Sequence, residues 1–140
     1  MKKFYAYSQP VTSGMNARED QPRRSYSIHH LYLETNSGQT ITVTGLWIKG
    51  QEFLFEQTII TTPVSINSSI QFRGKHNIVD LVPFTTNNVW QIKKLQAANT
   101  KQQLPQYLRS YEAVIAYRFN GLTYYVGKIQ CKALHPVLSK

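Results

Sequence analysis

Residues 111–131 read YEAVIAYRFNGLTYYVGKIQC, the strongest local structural signal in the chain. Asn120-Gly121 stands near its centre. The pair favours a type I′ turn, because both turn positions need positive φ and these residues tolerate it best. Counting outward sets Phe119 against Leu122, Tyr117 against Tyr124 and Ile115 against Val126. All are apolar or aromatic, so turn chemistry and periodicity independently give one register. Beyond Val126 the alternation turns Lys128 inward. A β-bulge at Gly127 would return Ile129 and Cys131 to the core face, opposite Ala113 and Tyr111. Cys131 is then a small buried hydrophobe.

The same period of two extends upstream. Ser25 to Leu33 alternates as a strand ending at Asn36-Ser37-Gly38. Gln39 to Ile48 and Glu52 to Ile60 flank Lys49-Gly50, a second two-residue hairpin turn. That turn sets Leu46 opposite Phe53 and Thr44 opposite Phe55. Ile41 and Val43 are then out of phase with Leu46 and Ile48, which predicts a bulge at Gly45. Val64 and Ile66 follow Pro63 and read as an edge strand. Ile70 to Phe72 and Ile78 to Val82 read as two further short strands. Val89 to Leu95 carries two readings, a strand or one short helix near 89–98 with Asn88 as N-cap. About seven or eight short strands at ~10-residue spacing predict an all-β fold: a single antiparallel β-sandwich, with a small β-barrel as the alternative.

Residues 8–25 hold Pro10, Gly14 and Pro22 and show no periodicity. The chain therefore divides into a flexible polar N-terminal segment, 1–24, and a single β domain, 25–140. At 140 residues one core is expected. Sixteen basic against seven acidic residues give a net charge of +9. Residues 71–140 hold ten of the basic and two of the acidic side chains, Asp80 and Glu112. Charged residues make up 16% and hydrophobic ones 41%, which excludes both a charged coiled coil and a wholly disordered chain.

The basic half supplies a candidate binding surface: Arg73, Lys75, Trp90, Lys93, Lys94, Arg109, Arg118, Tyr125, Lys128 and Lys132. Clustered cations follow anionic polymers, and interleaved aromatics stack on bases. Tyr125 beside Arg118 is the leading aromatic–cation pair, on the face of the last hairpin opposite the apolar one. Catalytic chemistry finds little purchase. Glu52 and Glu56 share a strand face but stand ~13 Å apart, beyond the ~5–9.5 Å of a glycosidase pair. His29 and His30 are adjacent on a strand and face opposite ways, so they cannot chelate together. One cysteine forms neither an internal disulfide nor a cysteine-based metal cluster. No catalytic, metal or cofactor residues are assigned.

Leu46-Trp47-Ile48-Lys49-Gly50 through Thr62-Pro63-Val64-Ser65-Ile66, and Leu81-Val82-Pro83-Phe84-Thr85 through Val89-Trp90-Gln91-Ile92, resemble uncharacterised small bacterial envelope proteins. The resemblance implies a secreted or lipid-anchored β-sandwich and supplies no site residues. The expectation is a non-catalytic extracytoplasmic interaction module, its signal removed, with a cytoplasmic location as the alternative. Its partner would be a protein or an anionic polymer or surface, with monomer and dimer both compatible. A nucleic-acid-binding barrel and a small-ligand-binding protein are the alternative functions. No stretch approaches the ~18 apolar residues of a membrane span.

Overall fold

Both two-residue turns form with positive φ at each position: Lys49 at 50° and Gly50 at 82°, Asn120 at 52° and Gly121 at 78°. These are the type I′ signatures that twist matched strands together. The computed structural model describes residues 2–13, 25–72, 75–99, 103–134 and 137–139. The strands are β1 (Lys3–Ser13), β2 (Ser25–Thr35), β3 (Thr42–Ile48), β4 (Gln51–Ile60), β5 (Val64–Phe72) and β6 (Lys75–Val82). There follow β7 (Asn88–Ala97), β8 (Ala113–Phe119), β9 (Leu122–Lys128), β10 (Lys132–Ala133) and β11 (Val137–Ser139). A 3₁₀ turn spans Gln106–Leu108. No helix among the described residues is long and apolar enough to cross a membrane.

The all-β expectation holds. One long sheet runs β10-β1-β2-β7-β4-β3-β8-β9, and β11 also pairs with β1. It is antiparallel except where β10 and β11 run parallel to β1, so it is mixed. β5 and β6 form a separate two-stranded sheet. The long sheet curls around one cluster to which most of its strands contribute: Phe4, Leu33, Ile92, Phe55, Leu46, Ile115 and Val126. The architecture lies between the sandwich and the barrel.

Its convex side is covered in two places. The β5–β6 hairpin lays Leu81, Val82 and Val64 over Tyr5, Tyr32 and Val89. The segment around the 3₁₀ turn lays Leu104 and Leu108 over Trp47, Val114 and Ala116. Central strands are therefore buried on both faces, and Ala113 to Tyr117 is buried without interruption.

Several expectations need correction. Residues 3–13 are not a flexible tether. They form β1, paired with β2 from Lys3–Glu34 to Thr12–Ser25. Pro10 hid this strand from the sequence reading. The Ser8 carbonyl accepts from Leu134 N–H, so Ser8 and Pro10 both turn their backbone groups away from β2. The missing Pro10 donor thus falls between the short β10 and β11 ladders, where a strand tolerates it. Residues 14–24 lie outside the described residues.

The helical reading near 89–98 fails because β7 sits between β2 and β4, and two ladders outweigh a local N-cap signal. The Gly45 bulge is present as a register shift between Val43 and Gly45. It places Ile41, Val43, Leu46 and Ile48 in one cluster. Leu46 pairs with Phe53 as expected, but the Thr44–Phe55 pair is absent from the β3–β4 ladder. The Gln57 side chain takes over there, accepting from Val43 N–H and donating to the Ile41 carbonyl at 2.9 Å each.

The Gly127 bulge is absent, since the β8–β9 register continues unbroken from Phe119–Leu122 to Ala113–Lys128. Gly127 serves a different purpose: a Cβ there would meet Tyr111 Cδ2 at 2.6 Å. Ile129 is consequently exposed, while Cys131 reaches the core by the turn that follows β9.

Candidate functional site

β10 pairs with β1 at only two positions, Tyr7–Lys132 and Ser8–Ala133. Among the described residues no strand pairs with Lys3–Ala6 on that side, and the end of β9 stands across the gap. The seam opens as a cleft of about 340 Å³. Lys3, Lys128 and Lys132 line it, with Gln130 between the last two in sequence and Asp80 contributed by β6. Alternation along β1 puts Lys3, Tyr5 and Tyr7 on one face, so both tyrosines also line the cleft.

The tyrosine wall is fixed from behind. Tyr7 Oη donates to the Leu81 carbonyl at 2.6 Å, and Tyr5 Oη donates to Glu34 Oε1 at 2.8 Å. Burial, ahead of the Glu34 contact, pushes the Tyr5 phenol up to about 12, so it stays neutral. Lys3 Nζ sits 4.8 Å from the Tyr5 ring centroid, a cation–π contact that steadies its ammonium at the rim. Asp80 accepts from the Ser65 hydroxyl at 2.5 Å. Three ammonium groups against one carboxylate in a concave site make a focus for anions. The chemistry on offer is to hold an anion.

Glu34 supports this wall and also accepts from Asn87 Nδ2 at 2.7 Å. The Asn87 amide, followed by the Tyr5 hydroxyl and nearby Lys2 and Lys3, holds the Glu34 carboxyl below its ordinary range despite burial. A carboxyl depressed in the folded state stabilises above its unfolded value of ~4.3, and that stability is lost as pH falls through the folded value. The wild-type melting temperature should therefore drop as pH falls below ~4.5. Glu34→Gln should flatten that part of the profile. Equal acid losses in both proteins would remove Glu34 from this role.

The structure disperses most of the candidate surface. Lys128 and Lys132 meet in the cleft; the other candidates described do not line it. Trp90 donates from Nε1 to Thr35 Oγ1 and packs against the inner core. Lys93 is exposed on β7, opposite Glu56 in register. Lys94 lies over the Phe53 ring at 4.7 Å, and burial followed by the Lys49 charge lowers its pKa. Arg109 donates from Nε to the Leu104 carbonyl and braces the 3₁₀ turn. Arg118 is exposed near the hairpin tip.

Tyr125, its intended partner, instead meets the Trp47 ring at 6.4 Å between centroids. The face expected to be open is covered over Val114 and Ala116, which are fully buried, while Arg118 and Tyr125 on it remain exposed. Arg73 lies outside the described residues, and of Lys75 only its place in β6 is described.

A second cluster lies at the inner core. His29 shares a β2 face with Leu31 and Leu33, which the curl turns inward. Its Nε2 is 2.9 Å from Glu112 Oε2, while Glu112 Oε1 accepts from Cys131 N–H at 3.0 Å. The donor atoms of His29, Glu112 and Cys131 lie within 4.8 Å of one another. His30, on the other β2 face, meets Gln9 Oε1 at 3.0 Å. Burial, then the Glu112 charge, pushes the Cys131 thiol up to about 12. That is the reverse of nucleophile activation, and the residue is 3% exposed.

No family model, curated protein or solved structure matches this chain.

Sequence reasoning found Lys128 and Lys132 and missed Lys3, Glu112 and the His29–Cys131 approach. Lys3 lies in β1, the strand whose periodicity Pro10 interrupts. Positions 29, 112 and 131 belong to three separate elements, and no local spacing joins them. One signal was available for Glu112: it is one of only two acids in a strongly basic half, beside a run of apolar residues.

Proposed function

We propose that the chain is a non-catalytic binding module that takes an anionic polymer or surface at the β1–β9 seam. The observation that carries this reading is the convergence of Lys3, Lys128 and Lys132, from three strands, on one cleft. Ammonium groups recognise phosphate, sulfate or carboxylate without demanding one planar geometry. Tyr5 is buried and Lys3 lies over its ring, so that ring favours charge recognition over base stacking. The extracytoplasmic setting implied by the envelope-protein resemblance belongs to the same proposal.

Binding of inorganic polyphosphate, and separately of fluorescent dT15, should be measured at ~50 and ~200 mM salt. The expected result is polyphosphate binding that weakens steeply with salt. The Lys3→Gln/Lys128→Gln/Lys132→Gln variant should bind at least ~10-fold less tightly at low salt. Undiminished affinity in the triple variant would overturn the assignment of the cleft. Tighter binding of dT15 than of polyphosphate, with loss in the same variant, would instead favour a nucleic-acid partner.

A further inference from the structure

We propose that His29, Glu112 and Cys131 form a binding site for one divalent transition-metal ion of the zinc class. The three side chains offer an imidazole nitrogen, a carboxylate oxygen and a sulfur, all within 4.8 Å of one another. Among the described residues this is the one group of three such donors. Their side chains come from β2, from the residue before β8 and from the turn before β10, so the fold itself brings them together. A cluster assembled this way is already organised before any ion arrives.

The distances suit a small ion. Bond lengths of ~2.0–2.3 Å imply ligand–ligand edges of roughly 3.3–3.6 Å in a tetrahedral site. The Nε2–Oε2 contact, now 2.9 Å, needs only a few tenths of an ångström more. The sulfur edges, at most 4.8 Å, need to close by a little over an ångström. The Cys131 N–H bond to Oε1 holds the carboxylate so that Oε2 is the oxygen presented. Glu112 is half-buried where His29 and Cys131 are buried, which puts it on the side from which an ion would arrive.

The donor set selects the class of ion. Thiolate and imidazole suit zinc, cobalt and copper, whereas magnesium and calcium require several oxygens. A thiolate and a carboxylate neutralise a divalent ion, so the loaded site carries no net charge into the core. On loading, the metal–sulfur bond replaces the S–H bond and that proton leaves to solvent. The imidazole binds as the neutral ring. His29 Nδ1 is buried and has no hydrogen-bond partner among the described residues. With Nε2 on the ion, Nδ1 is the nitrogen that keeps the ring proton, so the imidazole stays neutral.

Cobalt(II) titration of the whole chain reads the site directly. A bound thiolate gives an intense near-ultraviolet charge-transfer band, expected to saturate at about one ion per chain. Added zinc(II) should displace cobalt and erase the band, and magnesium should leave it unchanged. Cys131→Ser should abolish the band. Should that variant fail to fold, the wild type still decides: zinc binding should release about one proton per ion at pH 7. No charge-transfer band, or zinc binding without proton release, would overturn the proposal. So would a band that survives in folded Cys131→Ser. The lysine cleft is untouched by these outcomes, so this site stands or falls independently of the proposed function.

Discussion

Trp47→Ala should lower the unfolding free energy by about 3–5 kcal/mol, the range for truncating a buried large aromatic. Trp47 is 2% exposed, roofed by Leu104 and Leu108 and flanked by Val114, Ala116 and the Tyr125 ring. Losing it opens a cavity on the convex side and frees the segment around the 3₁₀ turn. Such a loss is a large part of the ~5–15 kcal/mol by which domains are stable. Urea denaturation provides the measurement, read as a lower midpoint at unchanged slope.

Gly45 makes this prediction sharper. A Cβ at Gly45 would lie 2.5 Å from Trp47 Cη2, and no rearrangement of a fully packed indole relieves that cheaply. The Gly45 backbone is outside the left-handed region, so the ring alone forbids a side chain. Gly45→Ala should cost about 1–3 kcal/mol in the wild type by overpacking. In the Trp47→Ala background it should cost close to nothing, giving a coupling energy of the same ~1–3 kcal/mol. Additive losses would mean that the ring does not lie over Gly45.

Glu112→Ala should cost about 2–4 kcal/mol, because it removes charge-assisted hydrogen bonds from a largely buried place. The carboxylate holds both the His29 ring and the Cys131 N–H, tying β2 to the turn between β9 and β10. Without it two polar groups face the core unpaired. Glu112→Gln keeps the shape and one acceptor oxygen, so its loss should be clearly smaller. A cost below ~1 kcal/mol for Glu112→Ala would show that neither contact contributes as drawn. This acid is a fastener of the fold.

The register of the two tight hairpins was legible in the sequence near their turns. Lys49-Gly50 and Asn120-Gly121 impose a turn whose geometry counts out the partners, and apolar alternation repeats the same count. The Gly45 bulge was legible for the same reason: it is the one place where four apolar residues can be brought onto a single face. The same apolar phasing at Gly127 misleads, since the β8–β9 register there is unbroken. Phase is informative only while one face is buried, and β9 lies at the sheet's edge where both faces are partly open. Tyr124 illustrates this. It stacks on Tyr117 at 5.5 Å as its register demands, yet remains 40% exposed.

Local signals in the chain were enough for an all-β fold, two hairpins with two-residue turns, a buried cysteine and a basic second half. These follow from local backbone preference, period and composition, which act between near neighbours. Tertiary structure alone decided that β1 belongs to the sheet and that the central strands are covered on both sides. It also decided which charges meet. Lys3 joins Lys128 and Lys132, and His29 joins Glu112 and Cys131, because a curled sheet brings its first strands beside its last. Charge adds up along a chain, but a binding site depends on separation in space, and only the closure of the sheet sets that.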